Sequence, residues 1–308
     1  MVPGVGTSRP ARRRVDGVLL LDKPAGLSSN AALQRVKRLY AAEKAGHTGT
    51  LDPLATGLLP LCFGEATKFA QALLDSSKEY VATVRFGIAT TTGDAEGAPL
   101  RSCEVAFSGA ELASALSRFV GMIEQTPPAY AALKYQGRKY YEYARAGVDI
   151  PRASRQVEIA AIELIDWMPP LAVLRVACGK GTYIRALAED LASALGSCAH
   201  LAALRRTAAG PFALEGAVTL EALEAMDIAA RDALLLPADA PLAGIVRLDV
   251  DGPTARAIVE GRVEDAPPGT SGKYRCYGPQ GRFLGLVESV GGALVALRLA
   301  RTDALPMC

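Results

Sequence analysis

The segment Gly46–Gly57 holds the residues of this chain whose types and spacing best suit chemistry. It reads Gly-His-Thr-Gly-Thr-Leu-Asp-Pro-Leu-Ala-Thr-Gly, so that one carboxylate, Asp52, lies among glycines that allow a ligand to approach the backbone closely. Pro53 fixes the backbone after Asp52 and favours an extended conformation at Asp52 itself. His47 lies five residues upstream. A carboxylate held in this way can act on a bound ligand as a nucleophile or as a charge partner.

Local chemistry leaves a purely structural role for Asp52 open. An aspartate before a proline often caps the turn or the helix that follows it. A phosphate-binding loop is a weaker interpretation, because the Lys-Ser/Thr pair of that motif is missing from the segment. The local residues therefore predict either a cap or a catalytic carboxylate.

The surrounding elements, which must position Asp52, mix strands and helices without strict alternation. We predict strands at Val15–Leu21, Tyr80–Ile88 and Ala172–Ala177, helices from about Ser29 to Glu43, at Glu111–Val120 and at Thr182–Leu195, and an irregular loop with a short apolar helix over residues 45–66. This order favours an α+β fold with a mixed, largely antiparallel central sheet flanked by helices.

The chain divides into four regions by composition. Residues 1–14 form a basic tail that we expect to be disordered, and residues 15–240 form the main domain, with a polar insertion at about 128–156. A linker with Pro237 and Pro241 leads to residues 244–304, where short strands are broken by glycine-rich turns. This β-rich module of about 60 residues is marginal for folding alone, so we expect it to dock on the main domain.

Composition predicts a soluble, cytoplasmic protein. No segment reaches the ~18 uninterrupted apolar residues of a membrane helix, and the opening residues do not resemble a secretory signal. The six cysteines are scattered without a CxxC pair, at positions 62, 103, 178, 198, 276 and 308. We therefore expect reduced core cysteines and no metal site.

The insertion is the part of the chain that most suggests nucleic acid. The chain carries a net charge of only +2, but residues 130–155 hold six basic residues against two acidic ones, together with five of the ten tyrosines. Aromatic rings among cations suit looped RNA, whose bases stack and whose phosphates need neutralising. A solvated face with a few core tyrosines would look the same.

The chain resembles the bacterial tRNA pseudouridine-55 synthase (TruB) family. Its segment 46–57 matches the family motif G-H-x-G-x-L-D-P-x-A-x-G. Five further segments match in the same order: Gly17–Pro24, Gly64–Lys68, Lys78–Tyr80, Pro127–Lys134 and Gly179–Arg185. The matches span roughly residues 17 to 215. The resemblance implies the pseudouridine synthase fold and, more weakly, a PUA-like RNA-binding domain at the C-terminus.

The same resemblance implies roles for individual residues. Asp52 would be the essential catalytic residue, and the residues at the target base would be Tyr80, Tyr183, Arg185 and Leu204. Arg185 would pair with Asp52, and His47 would fill the gap that a flipped base leaves in the RNA stack. The remaining RNA contacts would come from a pocket lysine, Lys23, for which a structural role is also open, and from the mobile insertion, through Lys134, Arg138, Lys139 and Tyr143.

The implied activity is isomerisation of uridine-55 in the T-loop of tRNA to pseudouridine. The reaction exchanges no atoms or electrons with a second substrate, so the resemblance implies no cofactor. It also implies a monomer that binds the tRNA elbow. The insertion and the small C-terminal module argue against a guide RNA, and the lack of a long apolar segment argues against a membrane partner. A guide-dependent synthase and an RNA-folding chaperone are the rival interpretations, and a chaperone role could accompany catalysis.

Overall fold

A ten-stranded sheet forms the centre of the molecule. The computed structural model describes residues 12–301. In chain order, the strands of the main domain are β1 Gly17–Lys23, β2 Ala45–His47, β3 Thr56–Phe63, β4 Lys78–Phe86, β5 Ile88–Thr90, β6 Pro99–Ser102, β7 Gly121–Gln125, β8 Lys134–Tyr135, β9 Arg138–Lys139, β10 Arg155–Met168, β11 Leu171–Cys178, β12 Ala199–Ala209, β13 Phe212–Ala213 and β14 Val218–Thr219. The central sheet runs β14-β1-β3-β12-β4-β11-β10-β7, with β2 paired to β3 and β13 to β12.

The central sheet is mixed but largely antiparallel. Only the β1–β14 and β3–β12 pairs are parallel, and the remaining pairs of the sheet are antiparallel. Two short hairpins lie outside it, β5–β6 and β8–β9. The predicted fold class is therefore confirmed at the level of the sheet.

The described part of the main domain contains seven α-helices. They are α1 Ser29–Leu39, α2 Ala70–Asp75, α3 Gly109–Leu116, α4 Tyr140–Arg145, α5 Ile184–Ala194, α6 Leu220–Ala225 and α7 Ile228–Ala233. Residues of α3 and α5 pack with β4, β11 and β12 in one hydrophobic cluster, whereas α1 and α6 pack with β1 and β3 in another. Tyr80 and Leu204 contact both clusters. A cleft at the junction of the two cores therefore lies beside these two side chains.

The prediction of an irregular loop with a short helix over residues 45–66 is wrong for half of the segment. Residues 45–47 and 56–63 are strands β2 and β3, and β3 lies between β1 and β12. Every residue of β3 after Thr56 is buried. A strand covered on both faces reads as a continuous apolar run, which periodicity alone cannot separate from a buried helix.

The C-terminal module is a five-stranded sheet with one helix. Its elements are β15 Arg247–Asp249, α8 Gly252–Val259, β16 Glu264–Asp265, β17 Gly272–Gly278, β18 Arg282–Val290 and β19 Ala293–Leu299. The module packs on the main domain through Phe283, whose ring centroid lies 5.3 Å from that of Phe69. Lys68 Nζ also donates to the carbonyl of Leu299 at 3.1 Å. These contacts agree with the docking that its small size predicts.

The basic tail is partly ordered. Residues 1–11 of the predicted tail lie outside the described residues. Arg13, which we expected to be disordered, instead pairs its guanidinium with Asp232 and donates to the carbonyl of Tyr40 at 2.9 Å. A short backbone bridge to Ala42 holds it further. The prediction of a disordered tail is therefore wrong at Arg13, because this side chain closes an ion pair against α7.

Two of the cysteines form a disulfide. Cys103 and Cys198 are bonded across 95 residues of sequence, whereas Cys62, Cys178 and Cys276 are free and buried. The expectation of reduced core cysteines is therefore wrong for the first pair, whose two segments are joined by backbone hydrogen bonds through Gly87. Cys308 lies outside the described residues. No helix within residues 12–301 is long and apolar enough to cross a membrane.

Candidate active site

A cavity of about 390 Å³ opens at the junction of the two cores. This volume falls in the ~300–1,000 Å³ range of small-molecule sites. Its wall contains all five residues predicted at the catalytic centre and at the target base, Asp52, Tyr80, Tyr183, Arg185 and Leu204. They come from the β2–β3 loop, β4, β12 and the start of α5. The fold thus assembles one site from four separate parts of the sequence.

The loop that carries Asp52 is fixed on both sides of this residue. The Ser29 hydroxyl accepts from the Leu51 amide at 2.7 Å and donates to the Leu51 carbonyl at 3.0 Å. The Pro53 carbonyl accepts from the Gly26 amide at 2.8 Å. No helix follows Asp52, since the chain turns directly into β3. The helix-cap alternative therefore does not describe this aspartate.

Gly57, the last glycine of the motif, is required where β3 meets β12. Its φ is +97°, and an added Cβ would lie 2.3 Å from the carbonyl oxygen of Arg206. Only glycine combines this backbone conformation with so close an approach. Gly57 therefore lets the strand that follows Asp52 lie against the strand that carries Leu204.

Arg185 lies between two carboxylates. Its Nη2 is 3.1 Å from Asp52 Oδ2, and its Nη1 is 3.6 Å from Asp94 Oδ2. The guanidinium also donates to the carbonyls of Thr92 at 2.8 Å and of Tyr130 at 3.0 Å. Because only 5% of its side chain is exposed, these four partners hold the guanidinium in one place and orient Asp52.

The electrostatic balance at Asp52 has two opposing parts. Loss of surrounding water raises the pKa of the Asp52 carboxyl, and the nearby Arg185 charge opposes that rise. Asp94 raises the pKa further and Lys23 lowers it. About 37% of the Asp52 side chain is exposed, at the wall of the cavity. The arrangement presents an oriented carboxylate to whatever occupies the cavity.

Arg206 is a cavity residue that the sequence did not single out. It is 1% exposed, and it donates to the carbonyls of Leu58 at 2.6 Å and Gly49 at 3.2 Å. Arg206 is paired with Tyr80 in the β12–β4 register. Burial raises the pKa of the Tyr80 hydroxyl, and the Arg206 charge opposes that rise. Leu204 lies two residues before Arg206, which in a strand is the same face, so a correct strand prediction would have found it.

Asp94 and Gln125 were also missed, and no local pattern identifies them. Asp94 is 3% exposed and lies in the turn between β5 and β6, and Gln125 is 1% exposed at the end of β7. Both reach the site through sheet pairing with distant segments. Gln125 accepts from the Tyr183 amide at 3.0 Å and donates to the Tyr183 carbonyl at 3.3 Å.

Lys23 is not among the residues that line the cavity, and its RNA contact stays a prediction. The side chain is fully buried, and its ammonium donates to the carbonyls of Pro24 at 2.8 Å, Leu27 at 2.6 Å and Pro53 at 3.4 Å. Burial lowers its pKa to about 8. Lys23 ties the turn after β1 to the residue that follows Asp52.

The other predicted RNA-binding residues lie outside the cavity. His47 is half-buried on β2, and its buried Nδ1 has no hydrogen-bond partner among residues 12–301. Burial lowers its pKa, and the Arg206 charge adds to that effect. The insertion forms the β8–β9 hairpin and α4, on which Lys134 and Arg138 are exposed and Lys139 and Tyr143 are half-buried.

The insertion reaches the cavity with its backbone and small side chains rather than with these cations. Ala131, Ala132 and Leu133 line the wall. Tyr143 donates its hydroxyl to the Tyr135 carbonyl at 3.1 Å, and the Arg138 guanidinium lies 4.9 Å from the Tyr143 ring centroid. Within residues 12–301, no group of three or more His, Cys, Asp or Glu residues could hold a metal ion.

Comparison with known proteins identifies the class to which this fold and site belong. Residues 37–184 match the family model described as "TruB family pseudouridylate synthase (N terminal domain)", and residues 185–243 match "tRNA pseudouridylate synthase B C-terminal domain". The chain belongs to the TruB family of pseudouridylate synthases.

Its relatives include proteins named tRNA pseudouridine synthase B. The protein from Thiobacillus denitrificans is 54% identical over 294 residues, covering 96% of this chain and 99% of the relative. Those from Aromatoleum aromaticum and Burkholderia mallei are 53% and 52% identical, each over 96% of this chain and over 96% and 97% of the relative. The sequence-based family prediction is confirmed.

Solved structures confirm the fold. A chain of a Cbf5-Nop10-Gar1 complex superposes with a TM-score of 0.71 at 24% identity, over 93% of this chain and 84% of its own length. A chain of an H/ACA RNP bound to a substrate RNA containing 2'-deoxyuridine gives 0.69 at 23% identity, with coverages of 93% and 85%.

Proposed function

We propose that this pseudouridylate synthase converts uridine-55 in the T-loop of tRNA into pseudouridine, with Asp52 as the essential residue. One observation carries the proposal: Asp52 is held 3.1 Å from a buried arginine at the wall of a cavity of about 390 Å³. The names of relatives at 52–54% identity support the substrate.

The reaction breaks the N1–C1′ bond of the uridine, turns the uracil, and joins its C5 to C1′. Stabilising the sugar while the base is detached requires a negative charge beside C1′, and an Asp52 carboxylate oriented by Arg185 supplies it. It can do so as a charge partner or as a covalent nucleophile, or it can act as a base at C2′. The detached uracil returns as the nucleophile. When C5 bonds to C1′ it loses its proton to water, and N1, freed from the sugar, takes one up from water, so the isomerisation balances and consumes no oxidant or second substrate.

The remaining cavity residues suit a planar base. Tyr80 and Leu204 offer an aromatic ring and an apolar side chain for the faces of the uracil, and Tyr183 lies at the start of α5 on the same cavity. The base must leave the RNA stack to enter, which costs a few kcal/mol. We propose that His47, at the edge strand β2, fills the space that the base leaves.

We further propose that the enzyme works in the cytoplasm as a monomer without a guide RNA. The relatives that match almost the whole chain are named as tRNA enzymes. The insertion supplies its own exposed cations, Lys134 and Arg138, for binding the tRNA elbow. Such contacts neutralise phosphates without reading sequence.

The test is a site-specific assay of the purified protein on unmodified tRNA transcript, with no RNA or protein added. We expect pseudouridine at position 55 alone. Asp52→Asn should make no pseudouridine and should bind the transcript within about threefold of wild type, because the substitution removes a charge at the cavity and leaves the RNA-binding surface intact. Full activity of this variant would overturn the mechanism.

The same variant tests a second role as a tRNA-folding chaperone. The cations of the insertion lie outside the cavity that holds Asp52, so opening the tRNA elbow need not depend on the chemistry. If Asp52→Asn still accelerates refolding of a misfolded transcript, the chaperone role stands beside catalysis. If it does not, the role is refuted.

A further inference from the structure

The two ends of the insertion are paired with each other next to the active site. The insertion leaves the sheet after Gln125, at the end of β7, and rejoins it at Arg155, the first residue of β10. Gln125 and Arg155 are direct partners in the β7–β10 register. The two stems of the insertion therefore meet at a single point of the central sheet.

Gln125 binds the backbone of Tyr183 from one stem. Its amide makes two hydrogen bonds, accepting from the Tyr183 N–H and donating to the Tyr183 carbonyl. A buried amide satisfied by one backbone unit fixes the position of that unit, because a shift of the partner would leave donor and acceptor unpaired. Tyr183 is the residue before α5, so the hydrogen bonds fix the start of the helix that carries Arg185.

Arg155 binds the side chain of Tyr183 from the other stem. Its guanidinium carbon lies 4.9 Å from the centroid of the Tyr183 ring, and its Nη2 donates to the carbonyl of Gly181. A guanidinium over an aromatic face is attracted to the ring, which favours the ring position that keeps this contact. Arg155 also lines the cavity, and its buried Nε has no hydrogen-bond partner among residues 12–301.

A third contact joins the insertion to the catalytic ion pair. The carbonyl of Tyr130, within the insertion, accepts from Arg185 Nη2 at 3.0 Å, and the same nitrogen is 3.1 Å from Asp52 Oδ2. The insertion thus contacts Tyr183 through both stems and Arg185 through its own backbone. A displacement of the insertion would move all three contacts together.

We propose that Gln125 and Arg155 are positioning residues, which couple the placement of the insertion to that of Tyr183 and of the first turn of α5. The inference rests on the proposed function, because it assigns the two residues to the rate of pseudouridine formation. It gives the insertion a role in the chemical step besides RNA binding. Neither residue exchanges atoms with the substrate; both act through Tyr183.

The experiment measures single-turnover pseudouridine formation on tRNA transcript at saturating enzyme, together with the Kd for the transcript. Gln125→Leu removes both hydrogen bonds to Tyr183, and Arg155→Lys keeps the charge but loses the planar stack. We expect each to lower the rate by about 10–100-fold, as small misplacements of reacting groups do, with Kd within about threefold of wild type.

Combining the two substitutions tests whether they act through the same element. Because both residues hold Tyr183, the double variant should be about as slow as the slower single variant rather than slower by the product of the two effects. Three outcomes would overturn the proposal. The effects of the two substitutions multiply, the single variants react as fast as wild type, or weaker binding of the transcript accounts for the lower rate.

Matched controls separate positioning from instability and from failure of the proposed function. Thr126→Ala removes a bond of the same stems, the 2.9 Å contact between the Thr126 and Ser154 hydroxyls, and should leave the rate unchanged. Thermal unfolding shows whether each variant is folded. If Gln125→Leu does not fold, Arg155→Lys decides the outcome, because Arg155 is only half-buried. A wild-type protein that makes no pseudouridine contradicts the proposed function, whereas an active wild type with unaffected variants contradicts only this inference.

Discussion

At the scale of single residues, Arg185 is the centre of the site. One guanidinium contacts Asp52, Asp94 and two backbone carbonyls. A buried arginine with one partner would leave donors unsatisfied, and an unpaired buried charge is strongly destabilising. The second carboxylate, Asp94, is itself held by the Thr92 hydroxyl at 2.5 Å and the Glu96 amide at 3.1 Å. Asp52 can therefore be oriented by Arg185 without being its sole counter-charge.

The pKa of Asp52 gives a prediction for the pH dependence of activity. Only the ionised carboxylate can stabilise a sugar cation, and burial raises its pKa while Arg185 opposes the rise. In the pH profile of the single-turnover rate, the loss of activity toward acid pH should thus have its midpoint (the acid limb) above the ordinary aspartate pKa of about 3.9. Arg185→Gln should move this limb to still higher pH, because the opposing charge is gone. Rates measured between about pH 4.5 and 8 test this.

The control for this experiment is Arg175→Gln, which removes an exposed arginine paired with Glu163 and should leave the limb in place. An acid limb that stays fixed or moves to lower pH in Arg185→Gln would contradict the assignment.

The contribution of Asp52 to the free energy of unfolding changes with pH in the opposite direction to its contribution to the rate. Between the ordinary and the raised pKa of Asp52 the folded protein binds more protons than the unfolded chain, so this residue makes folding less favourable as pH rises through that window.

At the scale of elements, the Cys103–Cys198 disulfide closes the base of the β5–β6 hairpin against the start of β12. The turn of this hairpin supplies Thr92 and Asp94 to Arg185. The carbonyl of Cys198 accepts from the Gly87 amide at 2.7 Å, and the Gly87 carbonyl accepts from the Cys103 amide at 2.9 Å. The bond therefore joins segments that already meet in the fold, and it stabilises the folded state mainly by restricting the unfolded chain.

Reduction should lower the free energy of unfolding by about 2–4 kcal/mol, the usual range for a disulfide that closes a long loop. Denaturant unfolding with and without reductant measures this, and the matched variant Cys103→Ser should show the same loss and no further response to reductant. Thiol titration of the unfolded, unreduced chain should find four of the six cysteines reactive, since two are bonded. Six reactive thiols would contradict the bond.

The elements also show how far the sequence could predict the site. The motif around Asp52 placed the carboxylate and its glycines, and the separate matches placed Tyr80, Tyr183 and Arg185. The resemblance of residues 201–207 to the family placed Leu204, and the structure brings all of these side chains to one cavity. The hydrogen bonds of Lys23, by contrast, depend on how the turn after β1 directs its backbone carbonyls, which the sequence motif does not specify. Asp94 and Gln125 reach the site through pairing with distant segments, and no local pattern identifies them. Arg206 was missed for another reason, because β12, on which it shares a face with Leu204, was not predicted as a strand.

At the scale of the whole molecule, two kinds of contact join the C-terminal module to the main domain: the packing of Phe283 on Phe69, and an ion pair and a hydrogen bond made by a side chain of the linker. Asp239, in the predicted linker, lies 3.2 Å from Arg275 and accepts from the Tyr277 hydroxyl. Pro241 and Leu242 of the same segment are buried. The segment is therefore a packed connection, and movement of the module would require breaking these contacts.

Charge distribution over the whole molecule predicts how RNA binding responds to salt. Phosphate contacts release counterions, so the Kd for tRNA should weaken by more than about tenfold between about 50 and 200 mM salt. Lys134→Ala should reduce the slope of log Kd against log salt by about one. Arg118→Ala, an exposed arginine outside the insertion, should leave it unchanged. A slope that Lys134→Ala does not alter would exclude this lysine from the RNA-binding surface.

The disulfide has a consequence for the chain under mechanical load. It links Cys103 directly to Cys198 across 95 residues of sequence. This span includes the whole insertion, β10, β11 and α5 with Arg185. When the protein is stretched from its two ends, force therefore passes from residue 103 directly to residue 198. The oxidised chain would reach a contour length shorter by roughly 330 Å, at ~3.5 Å per extended residue, and Arg185 would lie in a loop that bears no tension.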